Sequence, residues 1–230
     1  MGDRPLVDWS WIGSHTDLLL QLFLEHVQLT LVAVVIGLCI SFPLAIYAYQ
    51  HAKAPLKILP VTPYALITSV TGMLYTIPSL ALFAFLLPYT GLTTTTAEIG
   101  LVSYTLLILI RNIVAGLQGV PPEAREAALG MGYSKRQLLW RVELPLALPV
   151  ILAGVRVATV TVIGLVTVTA LIGKGGFGSL ILDGFRLLDS SRMFVGAVLS
   201  MALAMAFDGA LVGAERVATP WAQAGGRGRG

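Results

Sequence analysis

Three ionisable residues stand inside otherwise apolar runs of this chain: Arg111 in "ILIRN", Arg156 in "AGVRVA" and Asp208 in "MAFDGA". Charge in hydrocarbon is costly without a partner or water, so each belongs either to an ion pair or to a polar path through the membrane. Pairing of Asp208 with Arg156 or Arg111 is the simpler expectation, and a cation path lined by two arginines would repel positive cargo. A second candidate is "GKGGFG", which holds G-x-G-x-x-G at Gly173, Gly175 and Gly178, with Gly176 between them. A dinucleotide cradle needs a strand before this motif and a helix after it. Here it ends an apolar run, so it reads as a turn. His15, His26 and His51 lack ligand spacing, and no metal site is expected. No G-x-x-x-x-G-K-[ST] occurs either, so neither ATP hydrolysis, a catalytic residue nor a cofactor is assigned to this chain.

Only membrane helices can position these groups. The chain is 56 % hydrophobic and 12 % charged, with a mean hydropathy of +0.83, outside the range of soluble domains. A formal charge of +3 and a pI near 9.2 fit basic cytoplasmic loops rather than a nucleic-acid partner. Cys39 lies in an apolar run and reads as a buried thiol with no disulfide. The start, "MGDRPLVDWSWIGSHTD", is acidic where a signal peptide would be basic, so no cleaved leader is expected.

Apolar runs predict five spans within a membrane domain at 23–217: about 27–49, 64–88, 99–119, 144–172 and 193–217. An extracytoplasmic segment, 1–22, precedes them, and a disordered cytoplasmic tail, 218–230, follows. Between Lys57 and Glu98 forty residues pass without a charge, ~60 Å if helical throughout. A single crossing there puts nine cations inside, among them Lys53, Lys57, Arg125 and Arg141, against four outside. Two crossings would spoil that bias. The expectation is one crossing, either broken near Pro78 or preceded by an interfacial segment around Pro60 and Pro63, with the N-terminus outside and the C-terminus inside.

The loop between the third and fourth spans, 120–143, holds seven charges between Glu123 and Glu143. In "VPPEAREAAL", prolines and Glu123 suit a helical first turn, and Ala124, Ala127 and Ala128 give a helix of little bulk, fit to dock on a partner. Gly130 and Gly132 stop it at a corner that a side chain would block. Ser134 and Gln137 form a capping box for a second helix running to Pro145.

This segment resembles the EAA loop of ABC-importer permeases: E-A-A, three residues, G, nine residues, I/V, one residue, L-P. Glu126-Ala127-Ala128, Gly132, Val142, Leu144 and Pro145 match at that spacing. "LYTIPSLALFAFLLPYTGL", "VELPLALPVILAGVR" and "LIGKGGFGSLILDGF" extend the likeness, from about Gln28 to Pro220, to permeases for glycine betaine, carnitine and choline. Lys174 stands where that family usually has a small residue, and Phe177 where it usually has Leu. The resemblance implies an all-α, five-span fold of the type I ABC-importer class, like methionine permeases, in a bacterial cytoplasmic membrane. It also implies that the loop, with Glu123 and Ser134, docks on a separate ABC ATPase subunit. A substrate-binding protein would meet the glycine loop outside, and a second permease copy or paralogue would complete a path for a small-molecule osmoprotectant. Two alternatives are a permease for methionine or another amino acid, and an ion-coupled carrier using Asp208 and Arg156. The carrier would have no ATPase to dock on the loop.

Overall fold

The other helices assemble around α5, Thr94–Gln118. Its Leu101, Leu109, Ile110, Ile113 and Leu117 are all 1 % exposed or less. In this computed structural model, which describes residues 7–52 and 61–221, every regular element is helical among the described residues. Helices α2 (Thr16–Gln50) and α8 (Leu144–Val168) pack directly on α5. Lipid is as apolar as leucine, so close van der Waals fit rather than exclusion of water must hold the helices together. Glycines supply it. A Cβ on Gly37 would lie 2.0 Å from Thr105 Oγ1, and one on Gly154 2.3 Å from Asn112 Cβ.

The uncharged stretch forms α3 (Pro63–Thr76) and α4 (Ser79–Thr90), bent 93° at Ile77–Pro78. The break therefore falls where the sequence predicts it. Among the described residues, four helical runs are long and apolar enough to cross a membrane alone, and the bent pair supplies a fifth crossing if it is one span. The last of the four, α10 (Ser190–Ala218), packs on α8 and on α9 (Phe177–Leu187). A short α1 (Trp9–Ser14) is stapled to the start of α10 by the Asp8 N–H donating to Ser191 Oγ and by Arg192 lying 5.1 Å from the Trp11 ring centroid. Bonds from the Ser10 hydroxyl and the Trp11 amide hold the Asp8 carboxyl below the usual carboxylate range.

Three details differ from the sequence reading. Helix α2 begins at Thr16, well before Val27, because Glu25 and His26 find partners inside the bundle (below) and need not end the span. Helix α9, too short to register as a span, fills the segment between the glycine loop and the last crossing. Cys39 is exposed on the outer face of α2, not buried. Lys53, Lys57, Pro60 and the tail from Ala222 onward lie outside the described residues.

Gly154 and Gly164 share α8, yet a Cβ at Gly164 would meet nothing within 4 Å. Gly154→Val should abolish the monodisperse detergent-solubilised species and Gly164→Val should preserve it, as read by size-exclusion chromatography of a fluorescent fusion.

Candidate functional site

One end of the bundle is built on α6, Pro122–Gly130. Pro121 sits at its cap, Pro122 opens it, and Glu123 lies in the first turn, where the helix dipole favours an anion. Glu123, Glu126 and Ala127 are exposed, whereas Ala128 is 1 % exposed and packs inward. The alanines thus divide: one seats the helix on the bundle and the next faces outward. Gly132 has φ +83°, and the N–H groups of Gly132 and Tyr133 donate to the carbonyls of Leu129 (2.9 Å) and Ala128 (3.1 Å). This pair of bonds closes a helix through a left-handed residue. A Cβ on Gly132 would meet nothing within 4 Å, so the corner is not sterically closed; glycine is required by its backbone angle.

Ser134 then caps α7, Lys135–Leu138: its Oγ accepts the Gln137 N–H at 3.3 Å, and Gln137 Oε1 accepts the Ser134 N–H at 2.8 Å. A π-helical turn, Leu139–Glu143, holds Val142 and runs into α8 at Leu144 and Pro145, with the Leu144 N–H donating to the Leu139 carbonyl. Pro145 has no N–H to give, and a widened turn immediately before it absorbs the gap in the ladder.

Two of the seven charges in this loop face inward. Arg125 Nε donates to Glu143 Oε1 at 2.9 Å, and its Nη2 donates to the Leu117 carbonyl at the end of α5, which also accepts the Val120 N–H. The Tyr49 hydroxyl donates to the same Glu143 oxygen at 2.7 Å. Glu143 is 5 % exposed. One buried knot therefore joins α6 to α2, α5 and the entry of α8. Sequence reasoning missed it because a charge cluster in a polar loop reads as surface. The only available signal was the odd position of Glu143, between the apolar residues Val142 and Leu144. A groove of about 810 Å³ beside the knot is lined by Ile46, Gln50, Leu129, Lys135, Leu139 and Trp140, among others.

At the other end, a 3-10 turn, Thr169–Ile172, closes through Gly173 at φ +75° with the same bond pair: Gly173 N–H to Ala170 and Lys174 N–H to Thr169. The motif is thus preceded by a helix, not by the strand a dinucleotide site needs. Cβ atoms on Gly175, Gly176 and Gly178 would lie 2.5 Å from Ala170, 2.5 Å from His26 and 2.3 Å from Thr167. Glu25 Oε2 accepts the Gly176 N–H at 3.2 Å, and His26 Nδ1 accepts the Phe177 N–H at 3.3 Å. That leaves Nε2 as the donor to the Ile163 carbonyl at 3.1 Å. The buried His26 thus clamps the loop to α2 and α8.

Between the two ends, Arg156 binds Asp208 through two nitrogens, at 2.9 and 3.1 Å, and Glu215 at 3.4 Å. Asp208 therefore pairs with Arg156, and Glu215 joins as an unforeseen third member. One positive against two negative charges leaves this cluster net negative, so it does not repel a cation as a lone arginine would. Arg111 is exposed and makes no ion pair among the described residues.

The sequence matches, over residues 59–214, the family described as "Binding-protein-dependent transport system inner membrane component". This chain belongs to that family. It is 34 % identical to the choline transport system permease protein OpuBB of Bacillus subtilis, over 85 % of this chain and 86 % of the relative. It is 33 % identical to the glycine betaine/carnitine/choline transport system permease protein OpuCB of the same organism, with the same coverage. The fold matches a chain of the inward-facing MetNI methionine ABC transporter with a TM-score of 0.77 at 21 % identity, covering 90 % of this chain and 98 % of that one. The protein is a multi-pass membrane permease with the type I ABC-importer fold.

Tyr49→Phe removes one hydrogen bond to a buried carboxylate and should cost about 1.5–3 kcal/mol. Arg125→Leu strands that carboxylate and should cost more, about 3–5 kcal/mol. Thermal unfolding in detergent should rank them in that order.

Proposed function

We propose that this chain forms the membrane path of an ATP-driven importer for quaternary-ammonium osmoprotectants such as glycine betaine, carnitine and choline, in a bacterial cytoplasmic membrane. The cargo reading rests on relatives that are named for such compounds and that match along most of their length. The coupling reading rests on the exposed corner of α6 and its buried attachment to three membrane helices.

In this reading the N-terminus is outside and the C-terminus inside. A separate ABC ATPase subunit receives the face made by Glu123, Glu126 and Ala127, with the Gly132 corner beneath it. ATP-driven closure carries α6 inward, and the Arg125–Glu143 knot passes that displacement to α2, α5 and α8 as one rigid movement. A second copy or paralogue completes the path. A substrate-binding protein docks outside, over the loop of Gly173, Gly175, Gly176 and Gly178. The net-negative Arg156–Asp208–Glu215 cluster suits cationic cargo better than a path lined by unpaired arginines.

The assembled transporter in proteoliposomes, loaded with its binding protein and labelled choline or glycine betaine, tests this. Asn enters the left-handed region more readily than Leu, whose bulk makes it costlier there. Gly132→Asn should therefore keep most uptake, whereas Gly132→Leu should lose more than tenfold while still co-purifying the ATPase. Equal uptake by the two variants would count against the coupling role of the corner.

A further inference from the structure

The 93° break between α3 and α4 leaves backbone groups that the bundle does not satisfy. At the end of α3, the Met73 carbonyl accepts the Thr76 hydroxyl, Leu74 accepts the Ile77 N–H, and Ile77 accepts the Tyr104 hydroxyl. No described residue donates to the carbonyls of Tyr75 or Thr76. Tyr104 lies near the middle of α5, which puts the break at mid-depth in the bundle. Unpaired carbonyls at that depth cannot face lipid; irregular backbone survives there only against protein or a water-filled path.

Two aromatic rings stand at the same point. Tyr75 is 38 % exposed, and its ring meets that of Tyr104 edge-on, with centroids 5.8 Å apart and planes 70° apart. Tyr104 is 5 % exposed and held by its bond to Ile77, so it braces the outer ring. The site therefore combines the negative end of a helix dipole, two free carbonyls and an open aromatic face.

We propose that the Tyr75–Thr76 break is a cation subsite on the transport path, holding the trimethylammonium head of the cargo against the Tyr75 ring and the free carbonyls. This rests on the quaternary-ammonium reading above and adds where in this chain such a head is held. A diffuse positive charge with no N–H to donate suits ring faces and carbonyl dipoles, which need no hydrogen bond in return. The absence of a carboxylate among these groups also fits: transient sites must bind well enough to be entered and weakly enough to be left. Arg111, seven residues beyond Tyr104, is about 10 Å further along α5, out of contact with such a head.

The test is uptake of labelled choline by the reconstituted transporter with its binding protein, with residue 75 varied. Tyr75→Phe should retain uptake within about twofold. Replacing residue 75 with mono-, di- and trifluorinated phenylalanine should lower the maximal rate stepwise, by about tenfold in all, at unchanged ATPase co-purification and unchanged choline affinity of the binding protein. Fluorine drains the ring face without changing its shape appreciably, so a purely structural ring would give a flat series. A flat series, or collapse already at Tyr75→Phe, would overturn the subsite and leave the cargo reading intact. Failure of the unsubstituted transporter to move any quaternary ammonium would overturn the cargo reading, and the subsite with it.

Discussion

Within hydrocarbon no solvent can satisfy a backbone amide or carbonyl, and the whole architecture follows from that constraint. Helices run unbroken where they can, as α2 does past Pro43. Where the chain is irregular, freed groups are captured again at several points. The π turn before Pro145 and the left-handed closures at Gly132 and Gly173 are three such captures. Ionisable side chains obey the same rule: Arg156 is gripped by two acids, and Glu143 by an arginine and a tyrosine. The break at Ile77–Pro78 stands out because, among the described residues, it leaves two carbonyls unclaimed near the middle of the bundle.

The apolar helices were legible in the sequence because apolar length is an additive property of local runs. The break at Pro78 was legible too, since proline removes a donor regardless of context. So was the capping box at Ser134, which spans only four residues. What escaped was non-local. That Arg125 and Glu143 form a buried pair depends on α6 folding back over the ends of α2 and α5, and no periodicity records this. His26 was equally opaque: its partners lie 137 and 151 residues away. That the helix α2 reaches back to Thr16 was hidden for the same reason, because the partners of Glu25 and His26 are distant in sequence.

Placing the buried pair beneath the outward-facing corner has a mechanical meaning. A flexible loop would dissipate a push from outside the membrane, whereas α6 is anchored at its middle by a charge-assisted bond and at its end by a two-bond closure. The inner core cluster, including Ala45, Leu117, Leu139 and Ala147, lies around that anchor and leaves little slack between α6 and the helices it would move.

The glycine loop carries a last consequence, for how such proteins diversify. Three of its positions have no room for a side chain, and a fourth is confined to left-handed backbone. Phe177, one of the two departures from the family pattern, is 3 % exposed and packs at a tilt against the rings of His26 and Phe23. A change there is absorbed inside the bundle and is invisible to anything arriving from outside. Lys174 alone among these residues is free to vary without disturbing the loop's shape. In the proposed assembly, the charge this loop presents to a binding protein would then rest on a single side chain, held on a scaffold that tolerates no other change.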